Sequence, residues 1–177
     1  MTDQVTGQVT GVVVWITGRP SAGKSKLSRA LVAGLRAAGE QAVVLDGDEV
    51  RKALVPAPGY DDDARTAFYA TLGRLAALLA RGGAAVLVPA TANLRRYRDD
   101  ARAQAPRFLE VFVETPREVC EARDAKGLYA AVRRGEAQGL PGVDAPFEPP
   151  VAPDVVASGG ADEAAVQRIV ALVRGAP

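Results

Sequence analysis

Hydrophobic positions along this chain alternate between two rhythms. Short, nearly continuous apolar runs occur at VVVWITG (12–18), QAVVLDGD (41–48), AAVLVPAT (84–91), FLEVFVET (108–115) and DVVAS (154–158). Between them, apolar residues recur every three or four positions: Lys24 to Ala38, Ala64 to Arg81, Leu94 to Ala105, Pro116 to Asp124 and Ala161 to Arg174. The first rhythm suits strands covered on both faces, the second amphipathic helices. Parallel neighbours need long crossovers, so strands alternating with helices predict a three-layer α/β fold with a parallel sheet of about five strands. Local signals support the boundaries: Pro116 stands at a first helical turn, and Gly39 and Gly82-Gly83 stand where helices end. Lys126 to Pro153 breaks the pattern. It joins a short basic helical piece to a Pro/Gly-rich tail, and a segment of that length predicts a lid or binding loop in the C-terminal half. The polar stretch 1–11 reads as a flexible N-terminus, leaving residues 12–177 as one domain.

Composition narrows the chemistry. The chain has 177 residues, 48% of them hydrophobic and 24% charged, as expected of a globular protein. Lys+Arg is 22 against Asp+Glu 21, so no global basic field argues for nucleic acid as a partner. No apolar run approaches the roughly 18 residues that a membrane span needs, and the start MTDQVTGQVTG lacks a signal-peptide pattern. A cytoplasmic location is the expectation. There is no histidine and one cysteine, Cys120. These counts exclude a Ser-His-Asp triad, a histidine general base and an internal disulfide.

The turn between the first strand and first helix carries the strongest motif. Gly18-Arg19-Pro20-Ser21-Ala22-Gly23-Lys24-Ser25 has the form G-x-x-x-x-G-K-S between a predicted strand and a predicted helix. Such glycines let successive N–H groups curl around phosphate oxygens at a helix N-terminus. Lys24 can then reach the β- and γ-phosphates, and the Ser25 hydroxyl can join a Mg²⁺ shell. Gly18, Ser21, Ala22, Gly23, Lys24, Ser25 and Lys26 are therefore the expected nucleotide-binding residues, with ATP and Mg²⁺ as ligands.

A second constellation, LDGDEVRKAL, follows the second strand. Asp46 and Asp48, two apart on a strand end, are expected to face one crevice at the carboxyl edge of the sheet. With histidine absent, one carboxylate orients an acceptor hydroxyl and the other supports the metal shell; Asp48 is assigned the first role and Asp46 the second. Arg51, about one turn into the next helix, can face an anionic substrate. The alternative is a capped helix, with Asp48 as N-cap and Arg51 solvated.

These motifs, together with EVFVETPREVCEARDAKGLYAAVRRGE and GLPGVDAPFEPP, resemble the adenylylsulfate kinase family over most of Val12 to Ser158. The resemblance implies a P-loop NTPase fold with a mobile lid and commonly a homodimer. It also implies γ-phosphate transfer from ATP to the 3′-hydroxyl of adenosine 5′-phosphosulfate. It places Arg123 near the ATP adenine and Lys126 at the anionic end of the acceptor. The chain departs from the family on the acceptor side. In YDDDARTAFYAT, Tyr60 and Arg65 keep an aromatic and one arginine, but two expected cations are absent and Asp61, Asp62 and Asp63 add negative charge. ATAN (90–93) replaces a Phe-Ile-Ser-Pro turn, and Leu140 replaces a phenylalanine that stacks on the acceptor's adenine. Tyr69 and Arg74 are candidates for shaping a modified pocket, and the cluster Arg95 to Arg98 is either an anion site or a solvated helix start. Two alternatives stay open: a kinase of a different hydroxyl-bearing small molecule, and a non-catalytic ATP-binding regulator.

Overall fold

The computed structural model describes residues 11–175. Of the predicted flexible start, only Gly11 lies within the described residues, and its N–H donates to the Ala80 carbonyl. Five parallel strands form one sheet in the order β2-β3-β1-β4-β5. They are β1 (Val12–Thr17), β2 (Ala42–Val44), β3 (Ala85–Pro89), β4 (Phe108–Val113) and β5 (Val155–Ala157). The helices are α1 (Lys24–Ala37), α2 (Gly47–Ala53), α3 (Asp62–Arg81), α4 (Arg95–Gln104), α5 (Arg117–Arg123), α6 (Leu128–Arg133) and α7 (Glu163–Val173).

β1 is the central strand, and every one of its residues is buried. Because side chains alternate across a strand, it serves two cores. Val12, Val14 and Ile16 join Leu27, Leu31 and Leu35 of α1 and Ile169 of α7 on one face. Val13 and Trp15 join Phe68, Leu72 and Ala76 of α3 and Ala101 of α4 on the other. This is the covered parallel sheet that the continuous apolar runs predict.

β2 is the exception. The run 41–48 predicts a strand of eight residues, but only Ala42 to Val44 pair. The strand lies at the sheet edge, Val43 and Val44 are exposed, and the chain turns at Asp46 into α2. The acidic run after Tyr60 also has a local cause. Asp61 is the N-cap of α3, accepting from the Ala64 N–H at 2.9 Å, and Asp62 and Asp63 occupy the first turn, where negative charge suits the helix dipole.

The segment 126–153 is fastened to the body rather than free-standing. Within it lie α6 and a turn closed by Asp144, which accepts from the Gly139 and Leu140 N–H groups. Its far end is tied down at Asn93, whose amide donates to the Pro146 carbonyl and whose own carbonyl accepts from the Glu148 N–H.

Candidate active site

The phosphate-loop motif sits where the pattern places it, between the end of β1 and the start of α1. Gly23 holds a φ of 110° as N-cap of α1, and no side chain caps the helix. The first N–H groups of a fourteen-residue helix are thus left to a ligand. Close packing explains both motif glycines. A Cβ on Gly18 would stand 2.8 Å from the Val113 carbonyl oxygen, and one on Gly23 would stand 2.7 Å from the Gly160 nitrogen. Gly160 answers in kind, since its own Cβ would meet the Gly23 carbonyl at 2.6 Å. Two glycine backbones in contact leave no room for a side chain at either position.

Lys24 folds over the loop and donates from Nζ to the Gly18 and Arg19 carbonyls, both at 2.9 Å. Desolvation lowers its pKa from 10.5 to about 8, against the opposing attraction of Asp48. Ser25 Oγ donates to Asp46 Oδ2 at 3.2 Å, so the two expected metal-shell groups stand side by side and exposed. Lys26, exposed in the same first turn, keeps only its aliphatic base packed beside Gly160.

The acidic pair differs from its strand-end expectation. Asp46 is the N-cap of α2, its Oδ1 accepting from the Asp48 N–H at 2.9 Å. Asp48 lies in the helix's first turn, so the cap is Asp46 and not Asp48. The free face of Asp48 pairs with Lys126 Nζ. One chain of contacts therefore joins Ser25, Asp46, Asp48 and Lys126, and Asp48 and Lys126 line an open cleft of about 490 Å³ with Arg51, Lys52, Pro58 and Tyr60.

Other expected substrate residues are engaged elsewhere. Arg51 is buried, donates to the Pro58 and Gly59 carbonyls, and lies between the rings of Tyr60 and Phe68 at 4.5 and 3.9 Å. Neither the solvated arginine nor the free anion ligand describes it. Arg65 is buried and donates to the Gly139 carbonyl at 2.8 Å. Leu140, the candidate that stands where the family has a stacking phenylalanine, is 7% exposed and packs in the core cluster with Tyr129 and Cys120. Tyr60 remains exposed at the cleft. Arg74 is exposed, and Tyr69 is a core residue whose hydroxyl accepts from the Ala92 N–H. Of the basic cluster, Arg95 and Arg96 are exposed, but Arg98 is 1% exposed and bound to Glu110.

The segment VCEARDAKGLY braces the loop from behind. Thr115 Oγ1 donates to the Ala22 carbonyl, the Tyr129 hydroxyl to that of Pro20, and the Ala125 N–H to Ser21 Oγ. The Arg123 guanidinium lies 3.4 Å from the Ala22 carbonyl, at the back of the loop. Burial raises the Tyr129 pKa to about 12, so its hydroxyl stays a donor. Thr115 and Tyr129 lie in a stretch that carries the family resemblance, but their contacts with the loop are not readable from it, and Gly160 belongs to no motif; each acts on the loop from far along the chain.

A phosphate loop at the carboxyl edge of a parallel sheet, with a Ser–Asp pair beside it and a second cleft alongside, defines an ATP-dependent phosphotransferase of the P-loop kinase class. Comparison with known proteins narrows the class. The chain belongs to the adenylylsulfate kinase family, whose model matches residues 10–158. The adenylyl-sulfate kinase of Rippkaea orientalis is 43% identical over 145 residues, covering 82% of this chain and 80% of its own. That of Chloroflexus aurantiacus is 46% identical over 146 residues, covering 82% and 78%. Among solved structures, the Mycobacterium tuberculosis APS kinase CysC, in complex with AMPPNP and APS, superposes with a TM-score of 0.86 at 36% identity. The match covers 94% of this chain and 99% of that one. Among the described residues, no helix is long and apolar enough to cross a membrane.

Proposed function

We propose that this protein transfers the γ-phosphate of ATP to the 3′-hydroxyl of adenosine 5′-phosphosulfate. The observation that carries the reading is the continuity from Ser25 through Asp46 and Asp48 to Lys126, which sets the donor loop and the acceptor cleft side by side. ATP phosphates occupy the loop, held by its N–H groups and by Lys24, whose ammonium turns from the Gly18 and Arg19 carbonyls to the phosphates. Lys26 contributes its first-turn N–H, and Arg123 faces the nucleotide from behind the loop. Ser25 and Asp46 would hold Mg²⁺: a hydroxyl and a carboxylate 3.2 Å apart suit a cation that keeps several waters and takes the rest of its shell from phosphates. Bound there, the ion would supply charge neutralisation to the phosphates.

On the other side, Tyr60 and Arg51 wall the acceptor cleft, and Arg65 holds the 139–144 turn through the Gly139 carbonyl. Asp48 orients the attacking hydroxyl once Lys126 exchanges its carboxylate for the anionic end of the acceptor. Closure of the 126–147 segment excludes water and limits wasteful ATP hydrolysis. Cytoplasmic location and a homodimer belong to the same reading; sedimentation checks the dimer, and a hexamer, as in the APS kinase from Thiobacillus denitrificans, would overturn it. The deciding experiment incubates the protein with ATP, Mg²⁺ and adenosine 5′-phosphosulfate and seeks the 3′-phosphorylated product by mass spectrometry. ATP left intact, or hydrolysed without that product, refutes the acceptor.

A further inference from the structure

We propose that Lys126 is a positioning residue for Asp48, its ammonium keeping the carboxylate from activating water until an anionic acceptor draws the lysine off. The inference rests on the reading that Asp48 orients the attacking hydroxyl, and it assigns a control to that same site. Asp48 and Lys126 line one open cleft of about 490 Å³. Their side chains are 51% and 60% exposed, so the cleft admits water to both. The pair also stands near the donor loop. After burial, which dominates, the pKa of Lys24 responds to the Asp48 carboxylate, which raises it, and to the Lys126 ammonium, which lowers it. A solvent-facing carboxylate within reach of the lysine that holds the γ-phosphate would take a proton from water as well as from an acceptor hydroxyl, and ATP would be hydrolysed.

The ion pair withdraws that carboxylate from use. Lys126 Nζ donates to Asp48 Oδ2, and among the described residues no other cation forms an ion pair with Asp48. The lysine's backbone is fixed on both sides. The Ala125 N–H donates to Ser21 Oγ of the loop, and the Gly127 N–H donates to the Asp124 carbonyl at 2.8 Å. The Asp124 carboxylate accepts from the Tyr129 and Ala130 N–H groups in the first turn of α6. Exchange of partners therefore needs only rotation of a flexible four-carbon stem.

An ion pair this exposed is weakly held. A phosphosulfate, with two negative charges against the single charge of Asp48, outcompetes it for the ammonium. Arrival of the acceptor and release of Asp48 are then one event. The hydroxyl proton passes to the freed carboxylate and the hydroxyl oxygen bonds to the γ-phosphorus, while the bond from that phosphorus to the β,γ-bridging oxygen breaks and ADP departs. Closure of the 126–147 segment protects ATP once the acceptor is seated; the ion pair protects it beforehand.

The test reads phosphate released from ATP with Mg²⁺ and no acceptor, in wild-type protein, Lys126→Met, Lys126→Arg, and Lys126→Met combined with Asp48→Asn. Lys126→Met is expected to raise hydrolysis about two- to fivefold, the degree of closure that an exposed ion pair sustains. Lys126→Arg, which keeps the pair, stays near the wild-type rate, and Asp48→Asn in the Lys126→Met background removes the rise. Hydrolysis by Lys126→Met at the wild-type rate overturns the proposal, as does a rise shared by Lys126→Arg or one that persists without the Asp48 carboxylate. Equilibrium binding of ATP shows whether Lys126→Met is folded; if it is not, the wild-type protein decides alone. Sodium sulfate, compared with sodium chloride at equal ionic strength, should raise wild-type hydrolysis by drawing Lys126 off, and equal rates in the two salts overturn the proposal. None of these readings uses adenosine 5′-phosphosulfate, so a wrong acceptor leaves them intact; a wrong role for Asp48 shows separately, as full phosphate transfer by Asp48→Asn.

Discussion

Lys24 shows how one side chain couples binding to protons. Its folded pKa of about 8 lies below the ordinary lysine value of 10.5, so between those values the unfolded chain binds more protons than the folded one. The cost of keeping this ammonium in the loop is fully present below pH 8 and fades as pH rises toward 10.5. A triphosphate reverses the balance by favouring the charged form. ATP binding near pH 9 is therefore expected to take up a proton, measured by calorimetry in buffers of different ionisation enthalpy, and Lys24→Met should abolish both the uptake and phosphate transfer. Asp48 makes a separate prediction. With the hydroxyl-orienting carboxylate neutralised, Asp48→Asn should lower kcat by about 10²–10⁴ while leaving ATP affinity nearly unchanged, as a single-turnover assay beside equilibrium binding would show. A kcat near the wild-type value would remove Asp48 from the chemistry.

Among the elements, α4 and β4 are joined by an ion pair that no local pattern announces. Arg98 Nε donates to Glu110 Oε1 at 2.7 Å with both side chains buried. The same guanidinium donates to the Ala92 and Glu148 carbonyls, so it fixes the turn after β3 and the end of the 126–153 segment together. Arg98→Met leaves Glu110 with only the half-exposed Arg102 at 3.1 Å and two carbonyls short of a donor, and is expected to cost about 2–4 kcal/mol in urea unfolding. Pairing it with Glu110→Leu should recover much of that loss. This network also marks what can be read from the chain. β1 and β3 are legible because their neighbours bury every position, and the Lys24 loop because its glycines and lysine are contiguous. The length of β2 is not legible, since an edge strand with one neighbour stops where its partner and the Asp46 cap decide. Arg98 looks like an ordinary surface residue, and Thr115 and Tyr129 like unexplained members of a motif, until tertiary packing delivers their partners. Arg51 and Arg65 were legible as important cations; their backbone partners depend on loops whose course has no periodic signal.

For the molecule as a whole, the loop and cleft make stability depend on ligand. Binding to the folded state alone adds about 2.7 kcal/mol at a ligand concentration one hundred times Kd, enough to raise Tm by several degrees in a domain of this size. Saturating ATP with Mg²⁺ should produce that shift in differential scanning fluorimetry, and a chelator should remove most of it if Ser25 and Asp46 hold the cation. No shift under either condition would count against the loop as the nucleotide site.

The contact between Gly23 and Gly160 has an implication for biosynthesis. The nucleotide grip is formed by residues 18–25, yet it is propped by a residue translated some 137 positions after Gly23. As the chain leaves the ribosome, β1 and α1 emerge long before the support that completes their curl. Competence to hold ATP should thus arrive abruptly, when the final strand docks, so nascent fragments ending before it would be unable to tie up the cell's nucleotide.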